Sequence, residues 1–404
     1  MVMQRETCGS CHSADLIQVL DLGTSPLADD FPHSASEAME QTRYPLGLVT
    51  CAQCSLLQLT EIVDDQELWG GDYGFYTGSS WVAVQQQQQY ADDLLWRYRD
   101  LTKGLVLEIA CNDGSMLSRF AEAGCRTLCV DPAVGPTTKA RQSGLDVIVK
   151  GFGREAAQQV LNEYGWADLV VANNVIAHVA DLDDFVTGLA MVMSPQGRLI
   201  VEFQYAADLI TGNMIDHVYH EHRSFFSLSS LSCALERHGL KAVDVQQTTP
   251  QGGSLRVHVG RMGDELVNSS VTTLLLEEKW MLDPGSLAGM QGRANRIRQR
   301  LRDLLWEQSR AGRRVAGYGA SAKSTTLLNF CEIESGLVQY FIDSTPMKHG
   351  RFTPGTGIPI IDPRSDSRAP DTMLLCVWNY AGAIMRRERF DGQWIVPIPI
   401  PVMM

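Results

Sequence analysis

Several things are scarce or missing in this 404-residue chain, and each absence removes a class of function. No apolar run approaches the roughly 20 residues that a membrane-spanning helix needs. The opening stretch, MVMQRETCGSCHS, carries no hydrophobic signal region. Positive charge is in deficit: 34 Lys and Arg stand against 47 Asp and Glu, a formal net charge of −13. A phosphate backbone would repel so acidic a chain, so nucleic acid and membrane surfaces are excluded as general partners, while a local pocket for one small anion stays compatible. There is no fixed-period repeat, no G-x-G-x-x-G phosphate cradle and no H-E-x-x-H metal motif. The expectation is a cytoplasmic monomer that handles a small molecule.

What is present is ordinary in bulk, with 45% hydrophobic and 20% charged residues and enough length for two or three domains. In the cytoplasm the ten cysteines should be mostly reduced, so close pairs suggest metal before disulfide. Cys8-Gly-Ser-Cys11 and Cys51-Ala-Gln-Cys54 each place two thiolates on one tight turn, and two such turns close a tetrahedral shell around a structural Zn²⁺. The 39 residues between Cys11 and Cys51 exceed the usual ribbon spacing. Four unrelated thiols are the alternative, and His12 and His33 are substitute ligands.

Three domains are expected: residues 1–70, small and stapled by metal; 71–285, a connector and then strands alternating with helices from Leu105; and 286–404, a smaller Rossmann-like α/β unit that begins its own alternation at Arg313. The connector opens with GGDYGFYTGSS and continues as a helix-like stretch from Trp81 to Leu101, and residues 271–312 read as long linking helices. The fold class is therefore α/β, with a zinc-binding N-terminal domain and a central doubly wound sheet.

LVLEIACNDGSML reads as strand, turn and helix, with Glu108 ending the strand and Ala110, Asn112 and Gly114 shaping the turn. Small residues at alternate positions let a cofactor approach the backbone. Asp131 ends the next strand, 23 residues further on, at the distance where an acid meets ribose hydroxyls. A dinucleotide fits poorly, because Glu108 and Asp113 flank the turn where a pyrophosphate would sit. S-adenosylmethionine, with a sulfonium and no phosphate, suits acidic neighbours. Asn173 and Asn174 open NNVIAH at the carboxyl end of the fourth strand, where ligands gather, and His178 closes it. A fold without cofactor and a merely structural His178 remain the plain alternatives.

IDHVYHEHRSFFSL packs His217, Tyr219, His220, Glu221 and His222 into six residues. If helical, Tyr219 and His222 share a face, as do His217 and Glu221. Such a set suits acid–base work: His takes a proton, Glu orients the ring, Tyr donates to a developing oxyanion. A second metal site and a solvated turn are the rivals. RRVAGYGASAKSTTLLN, with Tyr318, Gly319, Ser321 and Lys323, reads as a strand, a Gly-x-Gly turn and a helix start that would cradle a substrate phosphate, or else as a tight structural turn with Lys323 in water. Arg351 and Asn379 lie in stretches expected to edge the same pocket.

Together the cysteine knuckles, FYTGSS, EIACNDGSML, VDPA, FGRE, NNVIAHV, YHEH, GGSLRV, GYGASAK, GRFTPGTGIPI and WNYA resemble, in order and over nearly the whole chain, the sugar C-methyltransferases that act on TDP-4-keto-deoxysugars in antibiotic pathways. The resemblance implies S-adenosylmethionine as methyl donor and structural zinc. It implies methylation next to the ketone of a TDP-linked keto sugar, with His222 as base and Tyr219, Glu221, His178 and Tyr76 around the sugar. Gln251 departs from the His found there in many relatives. Methyl transfer at another ring carbon (C5), another nucleotide sugar, and an inactive sugar-nucleotide binding protein stay open as alternatives.

Overall fold

A computed structural model describes residues 2–69, 76–79, 81–263, 267–365 and 369–404. Residues 70–75 and Ser80 of the connector motif lie outside the described residues. No described helix is long and apolar enough to cross a membrane.

The apolar run of Leu105–Ile109 is buried along its whole length, as a strand covered on both faces must be. It lies at the middle of a seven-stranded sheet, ordered Leu240–Thr248, Ser254–Arg261, Met193–Gln204, Ala167–Asn173, Leu105–Ile109, Arg126–Val130, Val147–Ile148. The last five are parallel, and Ser254–Arg261 runs antiparallel to both neighbours, so this edge departs from a purely parallel sheet. Strand order reverses between Leu105–Ile109 and Ala167–Asn173, which makes their carboxyl ends the natural crevice for a ligand.

A second, six-stranded sheet follows the long amphipathic helix Met290–Arg310, whose buried Ala294, Ile297, Leu301, Leu304 and Leu305 recur at helical spacing. Its order is Ile360–Ile361, Tyr340–Ile342, Val315–Tyr318, Thr372–Leu375, Gln393–Val396, Val402–Met403, parallel except for the last strand. The N-terminal sheet is antiparallel and four-stranded: Leu16–Ser25, Tyr44–Cys51, Leu57–Leu59 and, from far along the chain, Ser224–Phe225. That last strand adjoins the histidine segment, so the cysteine-bearing sheet holds the histidines in place. Leu59 N–H donates to the carbonyl of Arg223, and the buried Arg223 guanidinium donates to the Val63 carbonyl (2.8 Å) and to Asp65 (2.5 Å).

Candidate active site

The four cysteines converge. All four sulfurs lie within 4.8 Å of one another, with Cys8–Cys54 at 3.5 Å and Cys11–Cys51 at 3.4 Å. Zn–S bonds of about 2.3 Å in a tetrahedron set sulfurs ~3.8 Å apart, so the donor set fits Zn²⁺ with no position left over. His12 instead pairs with Asp183 (2.6 Å), and His33 accepts from Arg351 (2.7 Å), so neither joins the shell.

The methyl-donor turn is built as its residues suggested. Ala110, Asn112 and Gly114 all take left-handed φ (59°, 55° and 77°). A Cβ at Gly114 would stand 2.4 Å from Leu145 Cδ1, so both conformation and packing demand glycine. Asp131 braces the turn by accepting Asn112 N–H (2.8 Å) and Ala133 N–H (2.7 Å). Cys111 and Cys129 are joined as a disulfide beside it, a pairing the sequence reading did not foresee. Thr77 N–H donates to Asn112 Oδ1 and Gly78 N–H to Asp113 Oδ2, folding the connector over the turn.

Glu108 Oε2 and Asn173 Oδ1 are buried without a partner among the described residues. Burial, then the Asp131 carboxylate, pushes the Glu108 acid up to about 8. An unpartnered buried acid beside a second one is a poor host for phosphate and a good one for a cation. Adenosylmethionine fits this donor set: Asp131 would offer its remaining lone pairs to ribose hydroxyls and Glu108 would face positive charge. Asn174, with φ of 51°, is exposed at the rim.

The histidine segment is a turn and not a helix: Ile215–His217 is one 3₁₀ turn, and His222 N–H closes a further turn onto the Tyr219 carbonyl. Tyr219 and His222 still meet, phenol oxygen to Nε2 at 2.8 Å. His222 Nδ1 lies 3.0 Å from the His217 carbonyl, which only accepts, so Nδ1 carries the proton and Nε2 the lone pair. The expected orienting role of the Glu221 carboxylate is thus corrected, since a backbone carbonyl holds the ring. Glu221 uses its own carbonyl to hold His178 Nδ1 (2.7 Å), while its carboxyl Oε2 is buried and has no partner among the described residues. Burial foremost, then Asp29, pushes Glu221 up to about 8. Burial, then the neighbouring His178, drives His222 well below the usual imidazole value, so it stays neutral. The rings of His178 and His222 adjoin at a tilt of 59°, centroids 5.0 Å apart.

The C-terminal domain packs against the histidine segment. Thr326 Oγ1, on helix Ala322–Cys331, donates to the Val218 carbonyl (2.9 Å). Trp378 Nε1 donates to Asp216 Oδ2 (2.6 Å), with its ring 5.9 Å from that of His217. Lys323 donates to Asn379 Oδ1 (2.8 Å), so these two substrate-site candidates come together inside the protein, not in water. Asp216 and Trp378 lay in stretches that the sequence reading marked, but neither was singled out. The signal available was an acid placed directly before His217 in an otherwise apolar stretch.

Other candidates lie elsewhere. Tyr318 donates its hydroxyl to Glu388 (2.6 Å) and accepts from Arg387. Arg351 serves the Phe31 carbonyl and His33. Tyr76 sits under Lys139 (4.2 Å to the ring centroid), over the helix that follows Asp131, on the cofactor side. The expected phosphate cradle is largely occupied: Gly319 N–H donates to the Ile342 carbonyl, Ala320 N–H to the Asp343 carboxylate and Ser321 N–H to Ser324 Oγ. Ser321 Oγ itself has no partner among the described residues.

Residues 8–69 match a zinc binding domain family, residues 83–245 a methyltransferase domain family, and residues 249–399 the C-methyltransferase C-terminal domain family. C-methyltransferase NovU of Streptomyces niveus is 32% identical over 405 residues, covering 98% of this chain and 96% of that protein. The ubiquinone biosynthesis O-methyltransferase of Agrobacterium fabrum is 31% identical over 106 residues, 25% of this chain and 41% of that enzyme. Among solved structures, magnesium protoporphyrin IX methyltransferase of Synechocystis PCC 6803 with bound SAM aligns over 48% of this chain and 88% of that one, at 18% identity and a TM-score of 0.35. The likeness to NovU runs through all three domains and almost the whole of both chains, so this protein belongs to the family of S-adenosylmethionine-dependent C-methyltransferases.

Proposed function

We propose that the protein, a cytoplasmic monomer, methylates C3 of a TDP-4-keto-deoxysugar, the carbon next to the ketone, with His222 removing the proton there. The observation that carries this reading is the neutral His222, tautomer held by a backbone carbonyl, in a segment against which the C-terminal domain packs. A ketone acidifies the neighbouring C–H. His222 Nε2 takes that proton, the C–H pair becomes a C=C bond, and the carbonyl π pair moves to oxygen. The proton stays on Nε2 while the His217 carbonyl keeps Nδ1–H in place. His178, its ring tilted beside that of His222 and held by the Glu221 carbonyl, walls the other side of the ring. S-adenosylmethionine, when bound, supplies an electrophilic methyl carbon on a sulfonium. The chain's part is to hold the sugar carbon in line with it, a proximity effect.

The NovU likeness supports transfer to carbon, and the sequence resemblance supports the TDP-sugar. The test is deuterium exchange, without methyl donor, into a TDP-4-keto-6-deoxyhexose followed by NMR. Wild-type protein should exchange the C3 proton, and His222→Ala should lose exchange and methylation together, by about 10²- to 10⁴-fold. Exchange at the wild-type rate in His222→Ala removes His222 as the base. Exchange at C5 alone moves the reaction to the other carbon beside the ketone.

A further inference from the structure

The proposed reaction leaves one group unaccounted for. Enolate formation needs a donor at the oxygen that gains charge, and the candidate expected for it, Tyr219, already directs its hydroxyl to His222 Nε2. The same burial that keeps His222 neutral also weakens it as a base. A fixed positive charge at the carbonyl oxygen would offset that weakness.

Lys323 stands beside this site. It opens the helix whose Thr326 holds the Val218 carbonyl, and its ammonium reaches Asn379, next in sequence to the Trp378 that holds Asp216. Its charge is felt by Asp216, His217 and His222 alike. Asn379 accepts one of its three N–H bonds, and no carboxylate lies within ion-pair distance of it among the described residues. In the turn Ile215–His217, against which this helix packs, Asp216 Oδ1 and His217 Nε2, each on a residue only 1% exposed, have no partner among the described residues. A part-buried ammonium near a turn that carries two buried polar atoms unpartnered among the described residues marks a place that a ligand completes.

A diphosphate is the poorer occupant. The three N–H groups of the Gly319–Ser321 turn are occupied, and one of them holds the Asp343 carboxylate, which would repel a second anion. The oxygen of a ketone on its way to an enolate needs one charged donor at one atom, which is what Lys323 offers. We propose that Lys323 is a catalytic residue that donates to the substrate's ketone oxygen and stabilises the oxyanion as His222 takes the neighbouring proton. The C-terminal domain then supplies half of the proton-transfer machinery, in addition to packing against the histidine segment. This inference rests on the enolate reading above.

The test compares wild-type, Lys323→Met and Lys323→Gln for deuterium exchange into a saturating TDP-4-keto-6-deoxyhexose, and for TDP affinity by titration calorimetry, with adenosylmethionine binding as the check of folding. Removal of one oxyanion donor lowers the rate by about 10²- to 10³-fold. The expected result is a fall of that size in exchange, with TDP affinity within about twofold of wild type, and partial return of exchange in Lys323→Arg. Exchange at the wild-type rate in either neutral variant overturns the proposal. So does a loss confined to TDP affinity, which would make Lys323 a phosphate ligand. If the wild-type protein exchanges no proton beside the ketone, the enolate reading itself falls and takes this inference with it.

Discussion

Two corners of this molecule look alike as sequence and differ as chemistry. Leu105–Ile109 and Val315–Tyr318 each end in a glycine-containing turn that enters a helix at the middle of a parallel sheet. Gly114 and Gly319 both take left-handed φ, and a Cβ would collide with Leu145 in the first and with Val377 in the second. At the first turn Glu108 and Asn173 each keep one buried oxygen unpartnered among the described residues. In the second, Asp343 holds Ala320 and Thr345 N–H, and Lys348 donates to the Ala320 carbonyl. A strand–turn–helix corner makes ligand binding geometrically available. What decides the matter is whether neighbouring side chains have already satisfied it.

The largest effect should come from outside both corners. Zinc removal or Cys54→Ser should loosen the N-terminal sheet, whose strand Leu57–Leu59 pairs with Ser224–Phe225 directly after His222. Structural zinc contributes on the order of 10 kcal/mol or more to small metal-stapled domains. Proton exchange should be lost while adenosylmethionine affinity, set in the central sheet, stays near wild type; a parallel loss of affinity would contradict this separation. Next, Asp131→Ala should weaken adenosylmethionine binding by about 10²-fold, since it removes two charge-assisted hydrogen bonds, ~1.5–3 kcal/mol each, from the turn and also the ribose acceptor. Asp343→Ala removes the corresponding bonds from the second corner and should lower thermal stability while leaving that affinity within about twofold. Equal losses of affinity would erase the contrast.

The smaller effect is a pH dependence. Glu108 is raised to about 8 in the folded protein from an ordinary value of 4.5. Its contribution to stability is therefore full below 4.5 and is lost as pH rises through about 8. A bound cation favours the ionised acid, so adenosylmethionine affinity should rise with pH by at most about tenfold per unit up to that value. Calorimetry from pH 6 to 9 checks this, and Glu108→Gln should flatten the profile. An affinity that falls with rising pH would place the sulfonium away from Glu108.

Much of this was legible in the residues themselves. The alternation of apolar runs with helical stretches located the central sheet, and the two cysteine pairs located the metal cluster, because both signals are local. The donor turn was legible for the same reason, since Ala110, Asn112 and Gly114 put small residues at alternate positions within five residues; that all three take left-handed φ became visible only in the structure. The histidine stretch was found but its shape was left conditional: spacing cannot tell a helix from successive turns when both bring residues i and i+3 together. Tyr318 and Arg351 were assigned by sequence neighbourhood, and their actual partners, Glu388 and His33, lie 70 and over 300 residues away. The two-residue strand Ser224–Phe225 is too short for any periodicity, so its place in the zinc-bearing sheet became visible only through its pairing.

The central claim is that the carbon stripped of its proton at His222 is the carbon that receives the methyl group. Deuterium exchange in heavy water without methyl donor identifies the first, and NMR of the product made with ¹³C-methyl adenosylmethionine identifies the second. The account predicts one and the same ring carbon next to the ketone. A methyl group on oxygen, or on a carbon that does not exchange, would contradict it.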